Sequence, residues 1–213
     1  MVVARARLQE NFSEAAAHYD AHATFQHIHT LRVLDAARMV LPNAARILDV
    51  GCGTGYFARA AKDMCRWHVV GLDVALGMCR AARESCVPVL ADAESLPLAD
   101  ASMDAVVSSL CYQWVAHPQQ AFREVFRVLR PGGTVIIASL GASSLRELHE
   151  AAELAALPLA LLRMPDFHET RMAMEMAGFD VTYAETMVRT EYYPSVRALL
   201  DSMRKIGAGN NFS

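Results

Sequence analysis

Eight residues carry the most pointed chemistry in the chain: Leu48-Asp49-Val50-Gly51-Cys52-Gly53-Thr54-Gly55. Three alternating glycines leave a short apolar run and enter a helix-like segment. Glycine permits a tight turn and lets a ligand approach the main chain. The helix start offers unpaired amides and a positive dipole end to an anionic group. The spacing is G-x-G-x-G, not the G-x-G-x-x-G of dinucleotide binding, and the loop lacks the Lys-Ser/Thr pair of a P-loop. Phosphate-binding readings therefore lose ground. Asp73 closes a second apolar run about twenty residues downstream, where a carboxylate can accept both hydroxyls of a ribose. Asp92 closes a third run and can reach an adenine amino group. Ligands of open parallel sheets lie beyond the carboxyl ends of the strands, where these three features gather.

Other chemistry-bearing residues point less sharply. His18, His22, His27 and His29 cluster, with His18 and His22 one helical turn apart. No cysteine or carboxylate cluster completes a metal site around them, so no metal is expected. Cys52, Cys65, Cys79, Cys86 and Cys111 are odd in number and form no C-x-x-C pair. They read as small core residues in a reducing compartment, not a disulfide framework.

The elements that position the loop follow from periodicity. Short, continuously apolar runs at 46–51, 67–73, 87–91, 103–109 and 133–139 alternate with helix-like segments at 55–65, 75–85 and 118–129. Strands that read this way are covered on both faces, and the alternation implies a parallel sheet with crossover helices. Pro131-Gly132-Gly133 predicts a sharp turn into strand five. The first forty residues read as helix, with Phe25, Ile28, Leu31 and Leu34 on one face and Pro42-Asn43 as the stop. Beyond residue 141, Ser144 to Leu162 is mainly helical. Another helix carries Met172 and Met176 and stops at Gly178. Val181 to Tyr193 is β-prone, and a final amphipathic helix ends at Gly207.

Composition bounds the function. The chain has 213 residues, 54% of them apolar and 20% charged, with a formal charge of −3. It can build a core, and the balance does not suggest nucleic acid or a membrane surface as partner. No run of eighteen apolar residues occurs; the greasiest helical stretch, Ala151 to Leu162, carries Glu153 and Pro158. Met1 to Glu10 holds Arg5, Arg7 and Glu10 without an apolar block, so no secretory signal is expected and a cytoplasmic location fits.

Five motifs occur in order. They are Leu48 to Gly55; Gly71-Leu72-Asp73; Ala91-Asp92-Ala93-Glu94 with Leu96-Pro97-Leu98; Met103-Asp104; and Arg127-Val128-Leu129-Arg130-Pro131-Gly132-Gly133. Together they resemble the class I S-adenosylmethionine-dependent methyltransferases. The resemblance implies an α/β, Rossmann-like sheet with helices on both faces and S-adenosyl-L-methionine as cofactor. It implies that Gly51, Cys52, Gly53 and Gly55 cradle the methionine part while Asp49 places its ammonium group. Asp73 would hold the ribose hydroxyls. Asp92 and the Ala93 amide would read the adenine, with Glu94 beside them. Val74 and Met78 would pack on the ring, and Leu110 would lie beside the methionine tail.

The flanks narrow the resemblance. Phe12 to Asp20 followed by Gln26, Leu110-Cys111-Tyr112-Gln113-Trp114, Leu145 to His149 and Met203 to Ala208 are similar to the malonyl-[acyl-carrier protein] O-methyltransferases of biotin synthesis. By that resemblance residues 1–42 form a helical cap, 43–141 the cofactor core, 142–178 a helical lid and 179–213 a C-terminal strand and helix. Tyr19 and Gln26 would close over the cofactor, and Trp114 would wall it from substrate. The implied substrate is a malonyl group on acyl carrier protein, or on coenzyme A. Its carboxylate has a reference pKa of roughly 4 and is already ionised, so no general base is needed and no catalytic side chain is expected. Arg146, Arg171, Arg204 and Lys205 are candidates to grip it, and His149 is a hydrogen-bonding lid residue. Residues 146–205 hold seven Lys or Arg against ten Asp or Glu, so no basic patch for an acidic carrier emerges.

One feature departs from the family. Its sheet has seven strands, whereas this sequence offers five plus 181–193 and ends at Asn211-Phe212-Ser213. The expectation is a missing terminal strand, with 181–193 pairing directly on strand five. A quinone-like small-molecule methyltransferase and a non-catalytic cofactor-binding module are the alternative readings.

Overall fold

The computed structural model describes residues 2–156 and 164–209, with side chains from residue 6 onward. The end of the expected 144–162 helix and the terminal Asn211-Phe212-Ser213 lie outside the described residues.

Five parallel strands form one sheet: β1 Arg46–Val50, β2 His68–Asp73, β3 Val87–Leu90, β4 Met103–Ser109 and β5 Leu129–Ala138. Their order is β3-β2-β1-β4-β5. Alternate residues serve opposite faces, as a two-residue period dictates. Leu48, Val50, Leu72 and Val106 face one core with Phe122, Val125 and Val128 of α6, Pro118–Val128. Ile47, Ala105 and Val107 face the other, against α3, Thr24–Val40, and α4, Tyr56–Ala61. Each fully buried Leu, Ile, Val or Phe contributes about 1.5–3 kcal/mol. Helix α5, Leu76–Ala82, links β2 and β3.

The N-terminal cap is α1 Val2–Ala15, a single turn α2 Tyr19–His22, and α3. Cap and core meet closely because Gly77 has no side chain: a Cβ there would stand 2.2 Å from the Ser13 carbonyl oxygen. The Gly77 amide donates to Ser13 Oγ at 3.2 Å. The expected α3 face is corrected. Leu31 is exposed, and Val33, Leu34 and Ala37 are the buried residues.

Two further expectations change. Strand five begins at Leu129, opposite Met103, and resumes at Thr134 opposite Ala105. The Pro131-Gly132-Gly133 turn is therefore a bulge within the strand, with Gly132 at φ +77°. An Arg130–Asp104 ion pair spans it. Residues 181–193 form no strand and pair with nothing in the sheet. Tyr183, Val188 and Tyr192 are exposed, and Met187 touches Arg32 of α3. β-propensity expresses a fit to a half-buried pleated surface, and this stretch is given no such surface. Helices α7 Arg146–Leu154, α8 Phe167–Met176 and α9 Val196–Lys205 complete the described chain. An Asp166–Glu169 capping box starts α8. No described helix is long and apolar enough to cross a membrane.

Candidate functional site

Strand β1 lies between β2 and β4, so the order reverses beside it and a crevice opens beyond its carboxyl end. The glycine loop fills that position. Gly51, Gly53 and Gly55 all have positive φ, at +73°, +53° and +80°. The Gly51 and Cys52 amides donate to the Leu72 carbonyl at 2.7 and 3.0 Å. The Gly53 amide donates to Asp73 Oδ2 at 3.0 Å, and the Ala75 amide to Asp73 Oδ1 at 2.9 Å. Asp73 thus fixes the loop and retains lone pairs for a ligand. Burial raises its pKa, and the amides oppose the shift.

A cleft beside the loop holds roughly 450 Å³ of free space including its open mouth. Tyr19, Gln26, Asp49, Gly53 and Ser109 line it. Asp49 is 4% exposed, and its carboxylate receives no hydrogen bond among the described residues. Burial above all, then Cys86 and Asp73, raise its pKa well above the carboxylate range. Ser109 Oγ is likewise buried without a partner. Tyr19 packs with Phe12 on Ala16, Ala75 and Met78, and its hydroxyl is pushed up by burial and by Asp73.

Not every expected residue faces the cleft. The Glu94 carboxylate accepts the Ala116 and His117 amides at 3.0 and 3.2 Å, so it anchors the start of α6. Met78 is fully buried under the cap, and Ala93 packs in the main core. Cys52 lines the cleft, with its thiol beside Gly71. Val74 follows Asp73 and is half-buried. Asp92 closes its turn by accepting the Glu94 amide at 2.9 Å. Leu110 holds a left-handed φ of +55°, and its carbonyl accepts Gln113 Nε2. Trp114 meets Phe12 edge to face at 5.8 Å, so the wall after strand four leans on the cap. Arg146, Arg171 and Arg204 each pair with an acid of their own helix. Arg204 also lines a cavity with Asn11, Glu14 and His18. Lys205 is exposed and His149 half-buried.

Sequence reasoning missed the latch between cap and loop. Asp20 accepts Thr54 Oγ1 and Arg59 Nη2, each at 2.6 Å, and meets His27 Nε2 at 3.3 Å. His27 stacks on Tyr56 at 3.8 Å. The adjacent Tyr19-Asp20 pair in the quoted flank motif was the available signal. A second missed residue is Arg127. It donates to the Leu96 and Leu98 carbonyls and pairs with Asp100 and Glu124. It thereby stitches α6 to the segment after Asp92.

A five-stranded core in this order, with the glycine loop at its switch point and acids closing β2 and β3, defines a class I S-adenosylmethionine-dependent methyltransferase. A methyltransferase-domain family matches residues 48–137. A SAM-dependent methyltransferase of Thermotoga maritima superposes with a TM-score of 0.62 at 26% identity, over 80% of this chain and 81% of that one. The malonyl-[acyl-carrier protein] O-methyltransferase of a Methylovorus species is 33% identical over 98% of this chain and 75% of its own length. That of Geobacter sulfurreducens is 35% identical over 98% and 83%. The chain belongs to the malonyl-[acyl-carrier protein] O-methyltransferase family, and its cofactor is S-adenosyl-L-methionine.

Proposed function

We propose that this methyltransferase esterifies the free carboxylate of a malonyl thioester carried by acyl carrier protein, as a step of biotin synthesis. The observation that carries this reading is likeness to malonyl-[acyl-carrier protein] O-methyltransferases over nearly the whole chain, cap and C-terminal helix included.

The cleft fits the cofactor. An unpartnered buried carboxylate, Asp49, calls for a cation, and the ammonium of a methionine group is one. Asp73 accepts the ribose hydroxyls on lone pairs its two amides leave free. Gly53 has nothing within 4 Å of where a Cβ would stand, so a ligand can lie against the main chain. Asp92, Ala93 and Val74 border the base, and Leu110 the methionine tail. Tyr19 and Gln26 close the cap side. When bound, S-adenosylmethionine supplies a methyl group already activated by its sulfonium charge.

The remaining work is positioning. The malonyl carboxylate is the nucleophile and is ionised at neutral pH. The protein must hold it in line and exclude water, which is worth about 7–11 kcal/mol in well-oriented systems. The Phe12–Trp114 contact seals the cap against the wall after β4. Arg204, which borders a cavity with Asn11, Glu14 and His18, is one of the basic residues that would meet the carboxylate, beside Arg146, Arg171 and Lys205. Its Asp201 pair is exposed, and such pairs contribute only about 0–1 kcal/mol, so little opposes its recruitment.

The latch yields a prediction. Asp20→Ala removes the ties to Thr54 and Arg59. A charge-assisted hydrogen bond contributes about 1.5–3 kcal/mol, reduced here because both side chains are 43% exposed. Thermal melts should show the midpoint about 2–4 °C lower, and calorimetry a cofactor affinity about tenfold weaker as the loop loosens.

Transfer of radiolabelled methyl from S-adenosylmethionine tests the substrate. Label should appear as a base-labile ester on malonyl-carrier protein and not on acetyl-carrier protein. Label on both, or on neither with cofactor binding intact, would overturn the assignment.

A further inference from the structure

Gly71 is the place where two thiols meet. A Cβ at Gly71 would stand 2.6 Å from Cys86 Sγ and 2.8 Å from Cys52 Sγ. Any side chain there would wedge the sulfurs apart. With glycine the two sulfurs flank the same point, Cys52 Sγ near the Gly53 carbonyl and Cys86 Sγ near the Ala82 carbonyl, each at 3.7 Å. Cys52 is buried inside the glycine loop, whereas Cys86, at the start of β3, is half-exposed. All five cysteines are free thiols.

We infer that Cys52 and Cys86 form a reversible redox site beneath the cofactor loop, closed to a disulfide by small-molecule disulfides of the oxidised-glutathione class. The neighbouring Cys52 holds the Cys86 pKa below the usual thiol value, which favours Cys86 as the attacking thiolate. The Cys86 thiolate attacks one sulfur of the small disulfide. A mixed disulfide forms and one small thiolate leaves. Cys52 then gives up its proton and attacks the Cys86 sulfur, expelling the second small thiolate. Two electrons pass from the protein pair to the reagent, and the two protons end on its two thiols.

The link to cofactor binding is geometric. The two sulfurs must close to about 2.05 Å to form the bond. Cys86 adjoins Val87, which is fixed in the ladder against Val70. Cys52 lies between two left-handed glycines in a loop held by amide bonds to Leu72 and Asp73. Cys52 is therefore the side that moves, and it carries the Gly53 amide away from Asp73. Oxidation loosens the seat of the cofactor without touching the cap.

The test treats the reduced protein with oxidised glutathione and follows thiol number, peptide mass and binding of S-adenosylhomocysteine. The expected result is loss of two of the five thiols, a Cys52–Cys86 linked peptide and at least tenfold weaker binding, all reversed by dithiothreitol. Cys86→Ser should bind normally and keep its affinity under oxidant, while Cys79→Ser should respond like the parent. Cys86→Ala serves the same purpose if the serine variant melts early. Five titratable thiols after treatment, a linkage other than Cys52–Cys86, equal sensitivity in the Cys86 variants, or a linked pair with unchanged affinity would each overturn the proposal. None of these readouts depends on the identity of the methyl acceptor.

Discussion

Asp49→Asn is expected to stabilise the ligand-free protein while weakening S-adenosylmethionine binding by about 10²–10³-fold. Both effects have one cause. Asp49 is almost fully buried, and no donor is aimed at its carboxylate among the described residues. Burying an unpaired charge is costly, and a neutral amide of the same shape costs far less. The sign follows from the raised pKa. The folded state favours the protonated form, so this contribution to stability is full below the unfolded carboxylate pKa. It is lost as pH rises toward the folded value. The parent should therefore lose stability between about pH 4 and neutrality more steeply than the variant. At pH 7 the variant should melt higher, each kcal/mol moving the midpoint about 2–4 °C in a chain of this size. Once an ammonium faces Asp49 the balance reverses. Removing one member of a buried ion pair costs about 3–5 kcal/mol, and the lower part of that range, about 3–4 kcal/mol, is two to three decades of affinity. Melting curves with and without cofactor across pH check both halves. A variant that binds normally would remove Asp49 from the site.

The residues that proved easiest to read are those whose neighbours are dictated by the backbone. Leu48, Val70 and Val106 announced covered strands because a parallel ladder leaves no wet face, and the ranges of β1 to β4 follow closely. The loop Gly51 to Gly55 was legible because left-handed backbone demands glycine. Side chains whose partners come from distant segments were less so. Glu94 read only as a neighbour of the ligand, and its bonds to amides 22 and 23 residues away were not legible. Asp20 falls in a stretch that read as helix throughout. Its place depends on the break between Ala15 and Tyr19 that turns α2 onto the loop. The β-prone composition of 181–193 predicted a strand, yet propensity cannot supply the neighbouring strand it would need. The Cys52–Cys86 meeting depends on the β2–β3 register and on a missing side chain at 71. Neither leaves a local mark in the sequence.

Gly51 and Gly53 make the sharpest test of the site, because the same substitution should fail for different reasons. Both residues have positive φ, so alanine costs roughly 1–2 kcal/mol at either. At Gly51 the new methyl would stand 2.4 Å from Cys111 Cβ and 2.5 Å from its sulfur. Cys111 is itself packed against the core, and overpacking adds about 1–3 kcal/mol. Gly51→Ala should lower the melting midpoint by roughly 10 °C and lose cofactor binding as a consequence of the damaged loop. At Gly53 nothing lies within 4 Å of the new methyl, so the fold should lose only about 4 °C. That open space borders the cleft, and the methyl occupies volume the cofactor needs. Gly53→Ala should therefore bind S-adenosylmethionine about 10–100-fold more weakly while remaining well folded, if the overlap costs what overpacking usually costs. Thermal melts separate the two variants and calorimetry completes the comparison. A well-folded Gly53→Ala with parental affinity would mean that no ligand lies against the loop at this point. The anion- and ribose-binding roles built on Gly53 and Asp73 would fall with it.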